Sequence, residues 1–581
     1  MQEEIRHYIQ QALKSLGLPE TAFSVEHPED FSHGDYSTNV ALVCAKNAKA
    51  NPKELAEKIM AELKNLLPPD KGGRGGLIQK IEIAGPGFIN FYLDKNYFSG
   101  MVEKINTDPE NWAKNTMLAG KKVMVEHSQP NPFKPFHIGH LMSNSIGESI
   151  SRLVEFSGAK TIRANYQGDV GPHVAKAIFG MYKAGPPADE SASPEILAEY
   201  IGKCYAEGSD LYETDPTAKA EIDALNKKIY DRSDAEINKI YDWGRGVTLE
   251  AFETLYKKLG TKFDYYFFES DTALVGQKIV RENTPAIFEE SEGAVVFHAE
   301  AHDPKLHTRV FITKNNLPTY EGKELGLTKI KFEKENPDLS ITTTAVEQMD
   351  YMRVVYKAIS LLWPEIYPRI KHVTHGMMRF AEGKMSSRKG NIITGESLLK
   401  DAQAAVLEKM KDREMSDEEK NKISEMIGVS AIKYSILRSS LGSDIIYDFD
   451  RSISFEGDSG PYLQYTAVRA NAVLEKFKRM QVNEFEKNKE QNINQDISVL
   501  EKLLPRFEEI TQRAATEYQP NYIVTYLTEI ASAFNSFYAN NQIVNPDDIK
   551  ASVYRIKITQ AFYNVMKTGL GLLAIQVPEK M

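Results

Sequence analysis

Residues 121–171 constrain the fold of this chain most, because they predict a strand, a turn, a helix and a second strand in succession. The run Val-Met-Val at 123–125 is apolar and short, as a buried strand requires. After a proline-rich turn, apolar residues recur at helical spacing, at Ile146, Ile150, Leu153 and Val154. Gly158 ends that helix, and residues 161–165 return as a strand. Such a unit is typical of a parallel sheet covered by helices.

The turn of this unit carries the tetrapeptide His-Ile-Gly-His at 137–140, where the helix begins. The positive end of a helix favours an anion such as phosphate. His137 and His140 could donate hydrogen bonds to an α-phosphate as its charge grows in an in-line displacement. Gly139 would let a planar adenine approach the backbone. Because such a tetrapeptide also arises by coincidence, the strand-to-helix context carries this prediction.

Length and composition indicate a soluble protein of several domains. A chain of 581 residues exceeds one hydrophobic core, so about three or four domains are expected. No stretch approaches the roughly 18 apolar residues of a membrane span, and the acidic start MQEEIRHYIQ does not fit a secretory signal. Cys44 and Cys204 are the only cysteines, which excludes a zinc quartet or a disulfide framework built from cysteine. We therefore predict a cytoplasmic protein without membrane contact or structural metal.

Changes of pattern along the chain predict four regions. Residues 1–110 form an α+β module, in which amphipathic helices precede two strands around a Gly-Pro-Gly turn. Residues 111–395 form an α/β core, and its segment 185–290 is mostly polar helix and is interpreted as an insertion. Residues 396–460 are a helical connection, and residues 461–581 are a helical bundle.

Further alternation of strands and helices defines the fold class of the core. The β-branched run SITTTAV at 340–346 precedes a helical pattern, and KHVTHG at 371–376 offers one more strand. Strands that alternate with helices imply an α/β fold with a Rossmann-type, doubly wound parallel sheet. In such a sheet the ligand crevice lies at the carboxyl ends of the strands.

A second motif, at residues 383–390, reads Gly-Lys-Met-Ser-Ser-Arg-Lys-Gly. Its cations stand among small residues, so the loop could hold a leaving pyrophosphate. The members assigned to nucleotide binding are Lys384, Met385, Ser386, Ser387 and, as a further catalytic cation, Arg388. Alone, this segment could be any charged surface turn. Its order after the first motif, directly behind a strand–helix step, favours one joint site.

The two motifs together resemble those of class I aminoacyl-tRNA synthetases, and the flanking residues resemble the arginyl enzymes. The similar stretches include VEHSQPNPFKPFHIGHL, ANYQGDVG, HTRVFITKNNLPTYEGKELG, SFEGDSGPYLQYTAVRA and the ending LGLLAIQVPEKM. Near the start, GDYSTNVALVCAK and GPGFINFYL resemble the extra N-terminal domain of that family. The resemblance covers nearly the whole chain.

The resemblance implies an arginine–tRNA ligase. Such an enzyme joins arginine to AMP from ATP, releases pyrophosphate, and transfers the arginyl group to the terminal ribose of tRNA(Arg). The family is described as needing tRNA before it activates arginine, and it is commonly monomeric. Mg²⁺ is expected only as the partner of ATP, with no structural metal.

The resemblance also assigns an arginine pocket. A guanidinium is a planar fork of N–H donors and requires carboxylate and amide oxygens around it. Tyr320 and Glu324, four residues apart, match the pair that grips the guanidinium. The family usually has Asp at the second position, so Glu adds a methylene. The residues matched to the main-chain end of arginine are Glu126, Asn131, Gln348 and His140. For Glu126 and Gln348 an ordinary structural role stays open.

One departure from the family concerns the second motif. The family-wide K-M-S-K pattern has a lysine where this chain has Ser387. Many arginyl enzymes share that loss and have a lysine just before the first motif instead. Lys134, three residues before His137, matches that position. We hypothesise that Lys134 supplies the missing charge to the triphosphate, together with Lys384 and Arg388.

The helical C-terminal region resembles the anticodon-binding bundle of the family, and the connection over 396–460 is assigned the contact with the tRNA stem. The net charge of −10 neither favours nor excludes RNA, because a basic face can coexist with an acidic remainder. Aromatic and guanidinium planes can stack on splayed bases, although bundle packing is the alternative for any one tyrosine. The predicted tRNA contacts are Tyr465, Arg469, Tyr538 and Met581. The resemblance implies that the N-terminal module, residues 1–110, binds tRNA at its elbow, and His33, Asp35 and Asn39 lie in the most family-like stretch of that module.

Other functions fit less well. A cysteinyl enzyme requires zinc ligands that two cysteines cannot provide, and the 185–290 segment is too short and too helical for an editing domain. A glutamyl or glutaminyl enzyme would place cations, not Glu126 and Glu324, toward its substrate. A small nucleotidyltransferase would have a far shorter chain. An RNA-binding protein that has lost catalysis is disfavoured by the intact first motif.

Overall fold

The computed structural model describes residues 1–67, 77–381, 393–479, 496–545 and 547–581. The strands are β1 (Val25–Glu26), β2 (Tyr36–Thr38), β3 (Ile78–Ala84), β4 (Phe88–Leu93), β5 (Lys122–Glu126), β6 (Lys160–Gln167), β7 (Tyr265–Phe268), β8 (Glu289–Ser291), β9 (Ala294–Phe297), β10 (Arg309–Ile312), β11 (Leu339–Ala345), β12 (Ile370–His375), β13 (Met378–Phe380) and β14 (Ile445–Tyr447). The helices are α1 (Gln2–Ser15), α2 (Val40–Ala48), α3 (Pro52–Leu66), α4 (Lys95–Thr107), α5 (Ile138–Phe156), α6 (Pro172–Ala184), α7 (Pro194–Thr214), α8 (Pro216–Asp231), α9 (Ala235–Lys258), α10 (Glu269–Glu282), α11 (Tyr320–Lys334), α12 (Met349–Leu362), α13 (Gly395–Lys409), α14 (Asp417–Leu437), α15 (Phe449–Ser452), α16 (Gly460–Arg479), α17 (Val499–Leu503), α18 (Phe507–Glu517), α19 (Asn521–Asn540) and α20 (Ile549–Leu572).

The described residues fall into two compact units. One unit contains Met1–Trp112, Phe477–Arg506 and Ala533–Asn564, and the other contains Ala113–Lys476, Phe507–Ser532 and Val565–Met581. In the first unit, an antiparallel sheet of order β1-β2-β4-β3 packs with helices, as expected for an α+β module. This division assigns parts of the predicted 461–581 bundle to each unit. Within the described ranges, no helix combines the length and apolar character needed to cross a bilayer.

The centre of the larger unit is a five-stranded parallel sheet of order β12-β11-β5-β6-β7. In chain order this is the 3-2-1-4-5 arrangement of a doubly wound sheet, so the predicted Rossmann-type fold is confirmed. The side chains of Val123, Met124 and Val125 are fully buried because helices cover both faces of β5. The strand order reverses between β5 and β11, and the ligand crevice of this fold class lies at that point.

Helix α5 follows β5 and is buried along most of its length. Its small residues permit this close packing, and Gly147 is the tightest point. A β-carbon at Gly147 would lie 2.2 Å from the Cβ of His127, in the turn that leads out of β5. Gly158 follows the helix with a φ of +91°, a backbone conformation that favours glycine. The predicted helix and its end therefore agree with the structure.

The interval 185–290, predicted as a helical insertion, has two parts. Helices α7, α8 and α9 occupy it as far as Lys258 and share an apolar cluster with α6. Beyond them, β7 pairs in parallel with β6 and completes the core sheet, and α10 follows. Tyr265–Phe268 is aromatic without polar alternation, which is why the sequence pattern around it did not indicate a strand.

Candidate active site

The turn between β5 and α5 forms one wall of the crevice and has an unusual backbone. Ser128, Gln129 and Phe133 all have positive φ angles, of 75°, 55° and 66°. Non-glycine residues rarely adopt this conformation, and it persists only where surrounding contacts enforce it. The side-chain hydroxyl of Ser143 accepts a hydrogen bond from Ser128 N at 3.1 Å, and Asn144 Nδ2 donates to Ser128 Oγ at 2.9 Å. Helix α5 thus holds the start of the turn.

The segment ANYQGDVG holds the remainder of this turn. Asn165 Oδ1 accepts a hydrogen bond from Gln129 N at 3.1 Å, and Gln167 Nε2 donates to Pro130 O at 2.9 Å. Gly168 N donates to Asn131 Oδ1 at 2.9 Å. The end of β6 therefore shapes the loop that leads into the first motif. This contact explains why these two stretches belong to one site.

His137 and His140 meet at the N-terminus of α5. His137 is the N-cap residue in an extended conformation, and its backbone N–H donates to His140 Nδ1 at 3.2 Å. The two imidazoles stack with their centroids 3.5 Å apart and an angle of 22° between their planes. A β-carbon at Gly139 would lie 3.0 Å from His137 Cε1, so glycine leaves room for this stacking.

Both imidazoles are neutral at neutral pH. Burial, with the ammonium of Lys134, lowers the pKa of His137 even though that residue keeps an exposed face. Burial, with His137 and Lys134, lowers the pKa of His140 well below its usual value. A neutral imidazole whose Nδ1 accepts a hydrogen bond carries its proton on Nε2. His140 therefore presents an Nε2–H donor, which suits a phosphate oxygen.

Lys134 lies beside this histidine pair. Its ammonium is 5.4 Å from the ring centroid of Tyr205 on α7, in a cation–π contact. Its positive charge also lowers the pKa of His173, although burial is the larger cause there. The structure thus brings Lys134 together with His137 and His140, as the hypothesis about the triphosphate requires.

The second motif lies outside the described residues, which stop at residue 381 and resume at residue 393. The predicted members Lys384, Met385, Ser386, Ser387 and Arg388 are therefore outside the described structure. The chain directly after them contacts the first motif. Thr394 forms an antiparallel bridge with His137, and Gly395 N donates to Phe136 O at 2.8 Å. The described chain therefore resumes beside the histidine pair.

An acidic pocket lies at the end of β5. Glu126 is buried, with 1% of its side chain exposed, and its Oε2 accepts a hydrogen bond from Lys331 Nζ at 2.8 Å. Its Oε1 accepts from Gln129 Nε2 at 2.7 Å. Lys331 lies on α11, which also carries Glu324. Burial and the negative charge of Glu126 raise the pKa of Glu324 to about 8. This pocket favours a cation.

The other predicted arginine contacts lie around this pocket with different exposure. Tyr320 begins α11, one helical turn before Glu324, and is 61% exposed. Asn131 is half-buried, with its Oδ1 bonded to the backbone of Gly168. Gln348 is exposed just before α12, and its Oε1 accepts a hydrogen bond from Tyr351 at 3.4 Å. The three side chains thus come from different segments of the larger unit, and their contact with arginine stays a prediction.

Three regions of the chain match known protein families. Residues 104–449 match the family "tRNA synthetases class I (R), catalytic domain". Residues 463–581 match "DALR anticodon binding domain", and residues 3–93 match "Arginyl tRNA synthetase N terminal domain". The catalytic match alone covers more than half of the chain. The chain belongs to the class I arginyl-tRNA synthetase family. The predicted family and enzyme class, a ligase, are confirmed.

Relatives within the arginyl-tRNA synthetase family align along the whole chain. An arginine–tRNA ligase of Fusobacterium nucleatum subsp. nucleatum is 32% identical over 99% of this chain and 98% of its own length. That of Halothermothrix orenii is 30% identical over 100% and 99%. An arginyl-tRNA synthetase structure of Thermus thermophilus, 23% identical, covers 100% of both chains with a TM-score of 0.79 and supports the fold.

The predicted tRNA contacts of this arginyl-tRNA synthetase family member have distinct surroundings. The guanidinium of Arg469 lies 4.8 Å from the ring centroid of Tyr465 on the same helix, α16, and donates to its hydroxyl at 3.2 Å. Tyr538 is 42% exposed at the end of α19. Met581 packs against an apolar cluster that includes Val406 and Met410. This packing fixes Met581 within the larger unit, and its contact with tRNA stays a prediction.

The family-like stretch of the N-terminal module contains residues that support its own fold. Asp35 is buried, and its carboxylate accepts from Leu93 N at 2.8 Å and from Lys502 Nζ at 3.0 Å. Asn39 Oδ1 accepts from Ser24 N at 2.9 Å. These contacts inside the unit account for the residue types of Asp35 and Asn39 without any contact with RNA.

Sequence reasoning missed two residues of the acidic pocket. Lys331 is seven residues after Glu324, so helical periodicity could have placed both on one face. Gln129 lies inside the stretch that carries the resemblance, but its contact with Glu126 depends on its positive φ angle. Among the described residues, no group of three or more His, Cys, Asp and Glu side chains is arranged to hold a metal ion.

Proposed function

We propose that the crevice between β5, α5 and α11 activates arginine with ATP and transfers it to tRNA(Arg). The observation that carries this proposal is the pairing, in one crevice, of a neutral histidine donor pair with an acidic pocket whose Glu324 has a raised pKa. The first feature suits a reacting phosphate, and the second suits a guanidinium. Family membership supports the same reaction.

In the activation step, a carboxylate oxygen of arginine attacks the α-phosphorus of ATP. The new bond is the mixed anhydride of arginyl-adenylate, and the bond that breaks releases pyrophosphate. The Nε2–H of His140, with His137, donates to the α-phosphate as negative charge develops on its oxygens. Gly139 lies against the adenine side of the nucleotide. Mg²⁺ accompanies ATP through the phosphate oxygens.

Cations surround the leaving pyrophosphate. Lys134 contributes its ammonium from the turn before the first motif. The second motif contributes Lys384 and Arg388, with Met385, Ser386 and Ser387 along the nucleotide. The contact of Thr394 with His137 supports this arrangement because Thr394 follows that motif by four residues in the sequence.

Arginine binds with its guanidinium toward Tyr320 and Glu324. The α-amino group lies toward Glu126, whose two oxygens retain unused lone pairs after binding Lys331 and Gln129. Asn131 has its oxygen bonded to Gly168, so its amide N–H groups suit the carboxylate end. Gln348 lies at the open side of the pocket.

In the transfer step, a ribose hydroxyl of the terminal tRNA nucleotide attacks the arginyl carbonyl carbon and AMP leaves. Tyr465 and Arg469 form an aromatic–guanidinium pair that suits stacking on an unpaired base, and exposed Tyr538 suits the same task. Met581, which packs against an apolar cluster, is the fourth proposed tRNA contact. We propose that the protein acts in the cytoplasm as a monomer.

A charging assay with each amino acid, bulk tRNA and ATP tests this function. The expected result is arginyl-tRNA formation, with arginine-dependent ATP–pyrophosphate exchange that requires tRNA. The exchange reaction run with and without RNA separates activation from transfer. Charging of a different amino acid, or exchange that does not respond to arginine, would overturn the proposal.

A further inference from the structure

Tyr320, Glu324 and Lys331 share one face of α11, and the last two lie close to the carboxylate of Glu126. Glu324 follows Tyr320 by four residues, and Lys331 follows Glu324 by seven, so they repeat at the period of the helix. Tyr320 is exposed at the start of the helix, whereas Lys331 is buried two turns beyond Glu324. The face therefore runs from an open guanidinium site to a buried ammonium.

The contact between Lys331 and Glu126 joins this face to the sheet. Lys331 Nζ lies 2.8 Å from Glu126 Oε2, with 6% and 1% of the two side chains exposed. Glu126 ends β5, and its neighbour in register on β11 is Thr342. A buried ion pair costs desolvation that a matched apolar pair would avoid. Its presence at the substrate crevice therefore calls for a function beyond stability.

The acidic pocket contains more negative than positive charge, and Lys331 provides its ammonium. Two carboxylates, Glu126 and Glu324, share one ammonium. The other titratable or charged groups that face them from surrounding elements are Tyr166, Glu269, Glu321, Tyr351, Tyr356 and His372.

These surrounding groups do not offset the two carboxylates. Glu269 has Lys323 at 2.5 Å, and Glu321 has Arg309 at 3.2 Å. Burial raises the pKa of each of the tyrosines and lowers the pKa of His372 to about 4, so these groups are neutral at neutral pH. The pocket is therefore short of one cation when both carboxylates are ionised.

We propose that Lys331 is a specificity-determining positioning residue of the arginine site. Its ammonium offsets the charge of Glu126, so that Glu324 can ionise for the guanidinium and the pocket accepts one additional cation at that position. This inference rests on the proposed arginine-activating function and deepens it. Lys331 acts through Glu126 and Glu324 rather than on the reacting atoms.

The arrangement distinguishes a guanidinium from its neutral analogue. A ureido group, as in citrulline, has nearly the same shape but no charge, so it would leave Glu324 either unpaired or protonated. Buried polar groups left unpaired account for strong rejection of a near-isosteric substrate. If Lys331 were absent, Glu324 would stay protonated to higher pH because the charge of Glu126 would no longer be offset. The advantage of arginine over citrulline would then shrink.

The test is the pH dependence of KM for arginine in ATP–pyrophosphate exchange with tRNA, for the full chain and for Lys331→Met. The pH below which KM rises is expected to move up by about one unit in the variant. At pH 7.5, KM for arginine is expected to rise about tenfold while kcat changes less than threefold, and the preference over citrulline falls. Lys331→Arg, which keeps the charge, is expected to restore most of the wild-type profile.

Lys329→Met is the matched control, because it removes a lysine from the solvent side of the same helix, where Lys329 pairs with Glu333. Its pH profile and KM should equal those of the wild type. A folded Lys331→Met protein, verified by its thermal unfolding curve, with the wild-type pH profile and KM would overturn the proposal. A purely structural ion pair would alter the unfolding curve only.

A second comparison applies if Lys331→Met does not fold. Glu126→Gln and the double variant Glu126→Gln with Lys331→Met both lack the buried carboxylate that would otherwise be unpaired. The pH below which KM rises is expected to be lower in the single variant, where Lys331 still acts on Glu324. Equal values in the two proteins would overturn the proposal. If arginine supports no exchange in the wild type, the proposed function fails first, and the two failures are thus distinguishable.

Discussion

Two buried charge clusters lie in the same unit, and they differ in their balance of charge. Glu148, on α5, is 2% exposed and accepts hydrogen bonds from Arg152 Nε at 2.7 Å and Arg163 Nε at 2.9 Å. In the acidic pocket, by contrast, Glu126 and Glu324 share the single ammonium of Lys331. Two guanidiniums thus surround the carboxylate of Glu148, whereas one ammonium serves the two carboxylates of the acidic pocket. The Glu148 cluster therefore suits a role in stabilising the fold, whereas the pocket of Glu126 and Glu324 suits a cationic ligand.

The remaining contacts of the Glu148 cluster strengthen this distinction. Arg152 also donates to the carbonyls of Gly571 and Gly260, each at 2.7 Å, and Arg163 donates to Glu155 at 3.0 Å. Every charge in this cluster therefore has a partner within the protein. Disruption of the cluster is expected to reduce stability, whereas disruption of the pocket is expected to reduce activity.

The largest expected effect is on stability, in Glu148→Gln. Two partly buried guanidiniums would lose their shared carboxylate, which is expected to cost about 3–5 kcal/mol in the free energy of unfolding. Thermal or denaturant unfolding measures this loss. The KM for arginine of the protein that remains folded should be unchanged. A stable variant with a raised KM would invalidate the assignment of this cluster to structure.

Glu324→Gln is expected to show the opposite pattern. Removal of the charged partner of the guanidinium is expected to lower kcat/KM for arginine by roughly 100-fold, or about 3 kcal/mol. The free energy of unfolding should stay equal or rise slightly, since a carboxyl with a raised pKa is not stabilised by its surroundings when ionised. Arginine-dependent exchange and unfolding curves measure the two effects. Glu324→Asp tests the extra methylene and should retain most activity.

The raised pKa of Glu324 predicts how arginine binding depends on pH. Below pH 8 the free pocket holds a proton on Glu324, and a bound guanidinium requires the ionised form. Binding therefore releases a proton, so KM should rise as pH falls below about 8, approaching tenfold per unit, and should be constant above it. Glu324→Gln should abolish this slope. A KM that is independent of pH between 6.5 and 8 in the wild type would contradict the prediction.

A cation is also missing at the predicted phosphate end of the crevice, because this chain has Ser387 where the family-wide second motif has a lysine. If Lys134 replaces the absent lysine, Lys134→Ala should slow ATP–pyrophosphate exchange by roughly tenfold, about 1.4 kcal/mol. Stability should change little, because the lysine is only half-buried and its contact with Tyr205 is weak. Ser387→Ala should have the smaller effect on exchange. The reverse order of the two variants would show that the assignment is wrong.

The smallest expected effect on stability and activity is that of a substitution on the solvent side of α11. Lys329→Met removes an exposed ion pair with Glu333 at 3.0 Å, and such pairs contribute less than about 1 kcal/mol. Neither the free energy of unfolding nor KM for arginine should change measurably. A change in KM would mean that any charge on α11, not Lys331 in particular, tunes the pocket.

Much of the core could be predicted because its signals are local. The buried strands β5 and β11 have short apolar or β-branched runs, and the helical period after the first motif marks α5. The exception is β7, because a run of four aromatic residues is too short to be distinguished from the helical patterns on either side. Its place was decided by pairing with β6, far from it in sequence.

The sequence indicated most of the candidate residues of the site, though not Lys331 or Gln129, and it did not indicate the contacts between them. Motifs name His137, His140 and Glu126 because particular side chains are needed at particular points of a turn or strand end. They do not reveal that His140 Nδ1 accepts a hydrogen bond from His137, which determines the position of its proton. Nor do they reveal the pair of Lys331 with Glu126, since the two residues lie on elements joined only by the tertiary fold.

The sequence by itself determined the fold class, the family and the chemical types in the crevice, because periodicity and motifs depend on residues within a few positions of one another. The tertiary structure alone decided charge and protonation. A pKa depends on every charged group within several ångströms, and in the acidic pocket those groups come from β5, α10 and α11. The protonation of Glu324, and with it the proposed preference for a guanidinium, is therefore a property of the folded chain.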